Sequence, residues 1–226
     1  MDMEINPDPD GLVDELRDHL MDTGFMGLSL KHPLVFQVPF WSCSMANKAL
    51  KFKRQEQRRK LEEGDWSGAL WLFERPYRMA YLIEWWKEGS IPMEAIRKVI
   101  PSLWMDTEFP HQYRQGDLLG LFRAAGFLHD YEEDPRVLGE ELTVYRGTGP
   151  DPQEVFGVSW TTDRAVAVMF ALRFRRKQGG GRIHRVDVPV NLVLGMFQGR
   201  GEAEVVVDTD AFSMVLKSQV ETRRVQ

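Results

Sequence analysis

The sequence predicts an α+β protein, with a mainly helical first half followed by a mixed or antiparallel β-sheet. Two observations carry that expectation. Up to about residue 138, apolar residues recur at three- and four-residue spacing between Gly and Pro stops. From about residue 139 they fall into short β-rich runs separated by Gly, Pro and Asp. A single helical pattern interrupts those runs, which favours an antiparallel or mixed sheet over a doubly wound parallel one. The expected division is 1–138 helical and 139–226 sheet, in a chain of 226 residues that can bury a real core.

In order, "DGLVDELRDHLMDTGF" places Leu12, Leu16 and Leu20 on one helical stripe. In "KHPLVFQVPFW", Pro33 and Pro39 bracket an apolar piece that cannot be helical throughout. A long helix is predicted from about Ser44 to Glu63, ending before Gly64. "ERPYRMAYLIEWWKEG" and "IPMEAIRKVIP" predict two more, each closed by Gly or Pro, and "QGDLLGLFRAAGF" a short one capped by Asp117 and stopped near Gly126. Trp66, Trp71, Trp85, Trp86 and Trp104 fall in this half and read as core. Beyond it, "ELTVYRG" and "GVSWT" predict strands, and "TDRAVAVMFALRF" a helix with Thr162 or Asp163 as N-cap. "GRIHRVDVPV", "NLVLGMF", "EAEVVVD" and "AFSMVLKSQV" complete the strands, with "QGGG" at 178–181 as a loop tip.

Composition narrows the function. The single cysteine, Cys43, excludes an internal disulfide framework and a multi-cysteine zinc site, and the five histidines lack ligand spacing, so no metal is expected. No basic-plus-apolar leader opens the chain and no run of about 18 apolar residues occurs, so the expectation is a cytoplasmic protein without a membrane partner. A net charge of −5 argues against a general nucleic-acid binder, although 48–60 and 173–185 are locally basic and read as solvated faces. Walker, G-x-G-x-x-G, H-E-x-x-H and C-x-x-C motifs are absent. "GVSWT" misses the nucleophile-elbow pattern at Thr161, which argues against a serine hydrolase built on Ser159 and His184.

Three features of the second half carry chemistry. Tyr145-Arg146-Gly147 sets a cation at a strand end before a residue with no side chain, a pair able to clamp a phosphate or ribose while bare backbone approaches a flat ring. Tyr145 is expected to turn away from Arg146, into packing. Ser159-Trp160-Thr161 puts two hydroxyls on one strand face, able to orient a carboxylate. "GRGEAEVVVD" holds Glu202 and Glu204 on one face of a strand entrance.

In this order the three features resemble the Arg–Ser–Glu signature of the mono-ADP-ribosyltransferase superfamily, and "GVSWTTDRAVAVMFA" is similar to the form in phage and bacterial members. The resemblance covers about residues 140–226 and leaves the helical half without a motif. It implies an ADP-ribosyltransferase-like core with NAD as substrate, ADP-ribose passed to a macromolecular acceptor, and nicotinamide released. By matched position, Glu204 is the catalytic carboxylate and Glu202 orients or deprotonates the acceptor. Ser159 holds Glu204 with Thr161 in support, and Arg146 binds the phosphate or ribose. The Gly147 backbone holds the carboxamide, and Trp160 and Phe170 are walls for the nicotinamide. The motif reads Ser-Trp-Thr rather than Ser-Thr-Ser, and its middle residue normally faces away from the cleft. Glutamate at 202 is similar to arginine-modifying members, which favours a protein arginine over nucleic acid as acceptor. The alternatives are an NAD glycohydrolase, an N-glycosidase that removes a base from nucleic acid, and a non-catalytic binding protein.

Overall fold

A computed structural model of the chain describes residues 8–24, 27–107, 113–173, 176, 180–199, 201–213 and 220–225. It divides into two units, one of Met1–Val99 with Asp106–Tyr113 and one of Ile100–Met105 with Arg114–Gln226. The division falls earlier than the change of pattern at 139, because the helix and short strand of 115–129 belong with the sheet.

The first unit is not helical throughout. Helix α1 (Asp14–Arg17) lasts one turn, and Leu20 enters a three-stranded antiparallel sheet of β1 (Leu20–Asp22), β2 (Leu28–His32) and β3 (Val35–Gln37). The leucine stripe is therefore shared between two elements: Leu12 and Leu16 are buried beside the helix, while Leu20 pairs with Leu30. Asp22 ends β1 by accepting the Gly24 amide at 2.8 Å, and Gly24 takes a left-handed φ of +71°. Helix α2 (Cys43–Glu62) starts where Ser42 caps the Met45 amide, and its basic surface is a solvated face on which Arg59 pairs with Glu56 and Glu63. Helices α3 (Trp66–Trp71), α4 (Arg78–Lys87) and the start of α5 (Met93–Asp106) follow. Phe73 stacks on Tyr81 at 3.9 Å and meets Trp85 edge-on at 5.8 Å, so these rings are packing, whereas Trp71 is exposed with Arg78 over it.

Helix α5 runs through Pro101 instead of ending there. A proline inside a helix forfeits one backbone hydrogen bond. The burial of Ile100, Leu103 and Trp104 on the same turns offsets that loss. Helix α6 (Gln115–Ala125) begins two residues before Asp117, which sits in its first turn rather than at the cap, and Gly126 closes it at φ +77°.

The second unit is a seven-stranded mixed sheet in the order β10-β7-β5-β6-β9-β8-β4. Its strands are β4 (Leu128–His129), β5 (Glu141–Thr148), β6 (Ser159–Thr161), β7 (Gly181–Pro189), β8 (Val193–Phe197), β9 (Glu204–Val207) and β10 (Glu221–Val225). Only β4 against β8 is parallel among the described pairings. The start of "AFSMVLKSQV" is helical, with 209–213 forming a turn that buries Phe212; residues 214–219 lie outside the described residues, and the last strand is β10. Val144, Trp160, Val186, Val205, Val207 and Phe212 form the core on one side of the sheet.

Helix α7 (Arg164–Leu172), capped by Asp163 through the Ala165 amide at 2.7 Å, packs on the other side. Two glycines permit its close approach. A Cβ on Gly147 would lie 2.0 Å from the Ala167 carbonyl oxygen, and one on Gly181 would lie 2.0 Å from that of Ala171. Gly147→Ala is therefore expected to destabilise the protein by about 2 kcal/mol, through the overlap it forces on the helix backbone. A urea midpoint equal to that of the wild type would refute this packing.

Candidate functional site

Strand β6 is three residues long, and its pairing with β9 sets the site. Ser159 stands opposite Val206, Trp160 opposite Val205, and Thr161 opposite Glu204. Because side chains alternate along a strand, Ser159, Thr161 and Glu204 share one face and Trp160 and Val205 the other. Ser159 Oγ donates to Glu204 Oε1 at 2.5 Å, joining residues 45 positions apart, and both side chains are half-buried. The structure thus brings together the two residues on which the sequence reading centred.

The other residues take up different work. Trp160 is not a cleft wall: it is 2% exposed within the core, and its indole N–H donates to the Gly157 carbonyl at 2.9 Å. Thr161 does not support Glu204 through its hydroxyl. Its Oγ1 donates to the Glu202 carbonyl at 2.6 Å and accepts the Asp163 amide at 3.0 Å, tying the loop before β9 to the start of α7. Glu202 and Glu204 do not alternate along one strand as expected, because β9 begins at Glu204 and the intervening Ala203 has φ +43°. A left-handed alanine is costly and interrupts the period of two, and it is held by the Thr162 amide donating to its carbonyl at 3.0 Å.

Arg146 is tucked behind this face. Its Nε donates to the Glu154 carbonyl at 2.8 Å and its Nη1 to the Ser159 carbonyl, with Nη2 lying against Gly157. Burial pulls its pKa down to about 10, against the opposing pull of Glu154 and Glu204, so it remains cationic at neutral pH. What the structure shows of Arg146 is a tether for the backbone that carries Ser159. The missing side chain of Gly147 makes room for α7, so the space expected for a flat ring is filled by helix backbone. Phe170 lies on that helix with the Arg173 guanidinium 4.3 Å over its ring, and its Cβ is 2.9 Å from where a Gly147 Cβ would sit.

Two residues named in the sequence sit in unexpected surroundings: Tyr145 turns away from Arg146 but toward the site face, and His184 is buried. Tyr145 stands opposite Thr161 and so lies on the Ser159–Glu204 face, where it lines a cavity of about 130 Å³ with Arg164, Ile183, Arg185, Glu221 and Arg223. Those arginines come from three separate segments, and their spacing along the chain carries no signal. The second is His184, 3% exposed, with Nε2 2.9 Å from Thr148 Oγ1 and Nδ1 2.9 Å from Thr222 Oγ1. With both ring nitrogens engaged and Ser159 bonded to Glu204, no Ser159–His184 pair forms. A groove of about 720 Å³ in the first unit, beside His32, Arg54, Tyr81 and Trp85, is larger but contains none of the expected catalytic or NAD-binding residues. Size alone does not make it the candidate site; the hydroxyl-held carboxylate lies in the second unit.

A carboxylate fixed by a hydroxyl, with a buried cation behind the same strand, is preorganised negative charge aimed from a sheet face. It suits a reaction in which positive charge develops on carbon. Among the described residues, no group of three or more His, Cys, Asp or Glu is placed to hold a metal ion. Compared with family models, with curated proteins and with solved structures, the chain matches none.

Burial, then Arg146 and Arg182, push the His184 pKa down to about 4 from its ordinary 6.5. The folded state therefore binds this proton more weakly than the unfolded chain. The stability it contributes is complete above pH 6.5 and is lost as the pH falls toward 4, amounting to roughly 2–3 kcal/mol. In His184→Gln the fall in stability across that window should be shallower by up to about one proton, measured by denaturant unfolding at successive pH values. Parallel curves for the two proteins would show that His184 is not the group responsible.

Proposed function

We propose that this chain is an NAD-dependent mono-ADP-ribosyltransferase that moves ADP-ribose to a macromolecular acceptor and releases nicotinamide. The observation that supports it most is the 2.5 Å hydrogen bond from Ser159 to Glu204, between the serine and glutamate of the motif. The arrangement also suits the substrate: an oriented carboxylate can accept from a ribose hydroxyl and face a cationic ribose carbon, as in glycoside hydrolysis. NAD supplies a pyridinium leaving group, so the C1′–N bond breaks with its electron pair passing to the nicotinamide nitrogen, and the acceptor's lone pair forms the new bond at C1′.

Each residue then has a physical task. Glu204 stabilises positive charge at C1′, and Ser159 fixes the rotamer in which it does so. Arg146 holds the Ser159 backbone in place. Glu202, in the loop next to left-handed Ala203, takes the proton that the acceptor loses. The similarity to arginine-modifying members rests on glutamate at 202, and the strand pattern that would pair it with Glu204 is interrupted at Ala203.

The test is NAD turnover by the purified protein with and without a bacterial lysate. Glu204→Gln should lower kcat roughly 100- to 1,000-fold, as for loss of one preorganised electrostatic group, and Ser159→Ala roughly 10- to 100-fold with KM little changed. Label on a macromolecule that disappears in Glu204→Gln supports transfer. Acceptor-independent release of ADP-ribose would make the protein a glycohydrolase, and abasic sites without NAD loss would make it a base-removing glycosidase. NAD left intact in every condition would refute the reading.

A further inference from the structure

The cavity beside Tyr145 lies on the same side of the sheet as Ser159 and Glu204. Register places Glu204, Thr161, Tyr145, Arg185 and Glu221 in one row across β9, β6, β5, β7 and β10. At ~4.8 Å per strand, Arg185 is about 14 Å from Glu204 along that row. Arg223 stands opposite Ile183 on the same face, and Arg164 joins them from the first turn of α7.

Charge in this cavity runs against the rest of the chain. Of the acidic groups at hand, Glu221 and Asp187 both pair with Arg185, at 3.6 and 3.2 Å. Arg164 and Arg223 are exposed and have no ion-pair partner among the described residues. Two unneutralised guanidiniums are thus held around a half-buried tyrosine ring, in a protein whose formal net charge is −5. Guanidinium forks match phosphate geometry, and an aromatic ring offers a base a stacking surface. The same charges would repel an arginine-rich acceptor.

We infer that Tyr145, Arg164, Arg185 and Arg223 form a phosphate seat for a single-stranded nucleic-acid acceptor, which runs from there along the sheet face toward Ser159 and Glu204. This rests on the proposed transferase reading and gives its acceptor a chemical class. The overall negative charge disfavours a long duplex laid across the molecule, whereas a single strand needs only the local seat. Arg185 is held by its two carboxylate partners and orients the seat, while Arg164 and Arg223 supply the binding charge.

The experiment is fluorescence anisotropy of 12-nucleotide single-stranded RNA and DNA probes, titrated with the 226-residue chain at several salt concentrations. Arg164→Gln with Arg223→Gln should weaken binding at least 10-fold and flatten the slope of log K against log salt by about one to two. The paired lysine variant, Arg164→Lys with Arg223→Lys, keeps the charge and should recover most of the affinity; equal melting temperatures show that all variants are folded. The inference is overturned if neither probe binds, or if the glutamine variant binds as wild type does. It is also overturned if ADP-ribose displaces the probe with the same arginine dependence, which would make this the donor's seat. A poly-glutamate peptide bound as tightly would assign the seat to an acidic protein instead. Arginine-dependent binding without any NAD turnover keeps the seat and removes the transferase reading. Label carried to protein by an enzyme that ignores both probes does the reverse.

Discussion

The site depends on the register between β6 and β9. A slip of one residue would turn Trp160 out of the core and carry Ser159 to the wrong face of the sheet. Burial of the indole, together with its hydrogen bond to the Gly157 carbonyl, locks that register. An aromatic in the middle of a three-residue strand therefore fixes the hydroxyls on either side from the opposite face of the sheet. Thr161 adds a second lock, since its hydroxyl ties the Glu202 carbonyl and the Asp163 amide to the same strand end. Ser159 and Glu204 meet because Trp160 and Thr161 hold their strands in place.

Electrostatics behind the face follow from the same geometry. Arg146 is buried, and its hydrogen bonds go to the carbonyls of Glu154 and Ser159 rather than to a carboxylate. Its charge is thus not cancelled by direct ion pairing, and Glu154 and Glu204 act on it through space. His184, opposite Arg146 on β7, is kept neutral by burial first and by the neighbouring cations second. Two threonines satisfy its ring nitrogens, so a buried polar group is accommodated without adding another charge.

Helix α7 connects the two parts of the sheet face. It begins directly after β6, and Gly147 and Gly181 let it settle onto β5 and β7. Its first residue, Arg164, points to the cavity on the row that includes Glu204. One strand-to-helix turn thus sets both the serine's strand and one wall of the basic cavity.

The sequence by itself determined the elements whose signals are local. Ser42 and Asp163 cap their helices, Gly126 ends α6, and the Val-rich runs form strands. Ser159-Trp160-Thr161 and the Glu202/Glu204 pair stood out as short strand patterns, and the resemblance singled out Ser159 and Glu204 among them. Local signals failed where long-range burial or pairing outweighed them, as with Pro101 inside α5, the leucine stripe divided between α1 and β1, and Tyr145 facing the site side. Only the tertiary structure decided the roles of Arg146, Gly147 and Thr161, since each depends on which backbone lies beside it. The same holds for the arginine cavity. Its charges come from β7, α7 and β10, and sheet pairing, which sequence spacing does not encode, brings them together.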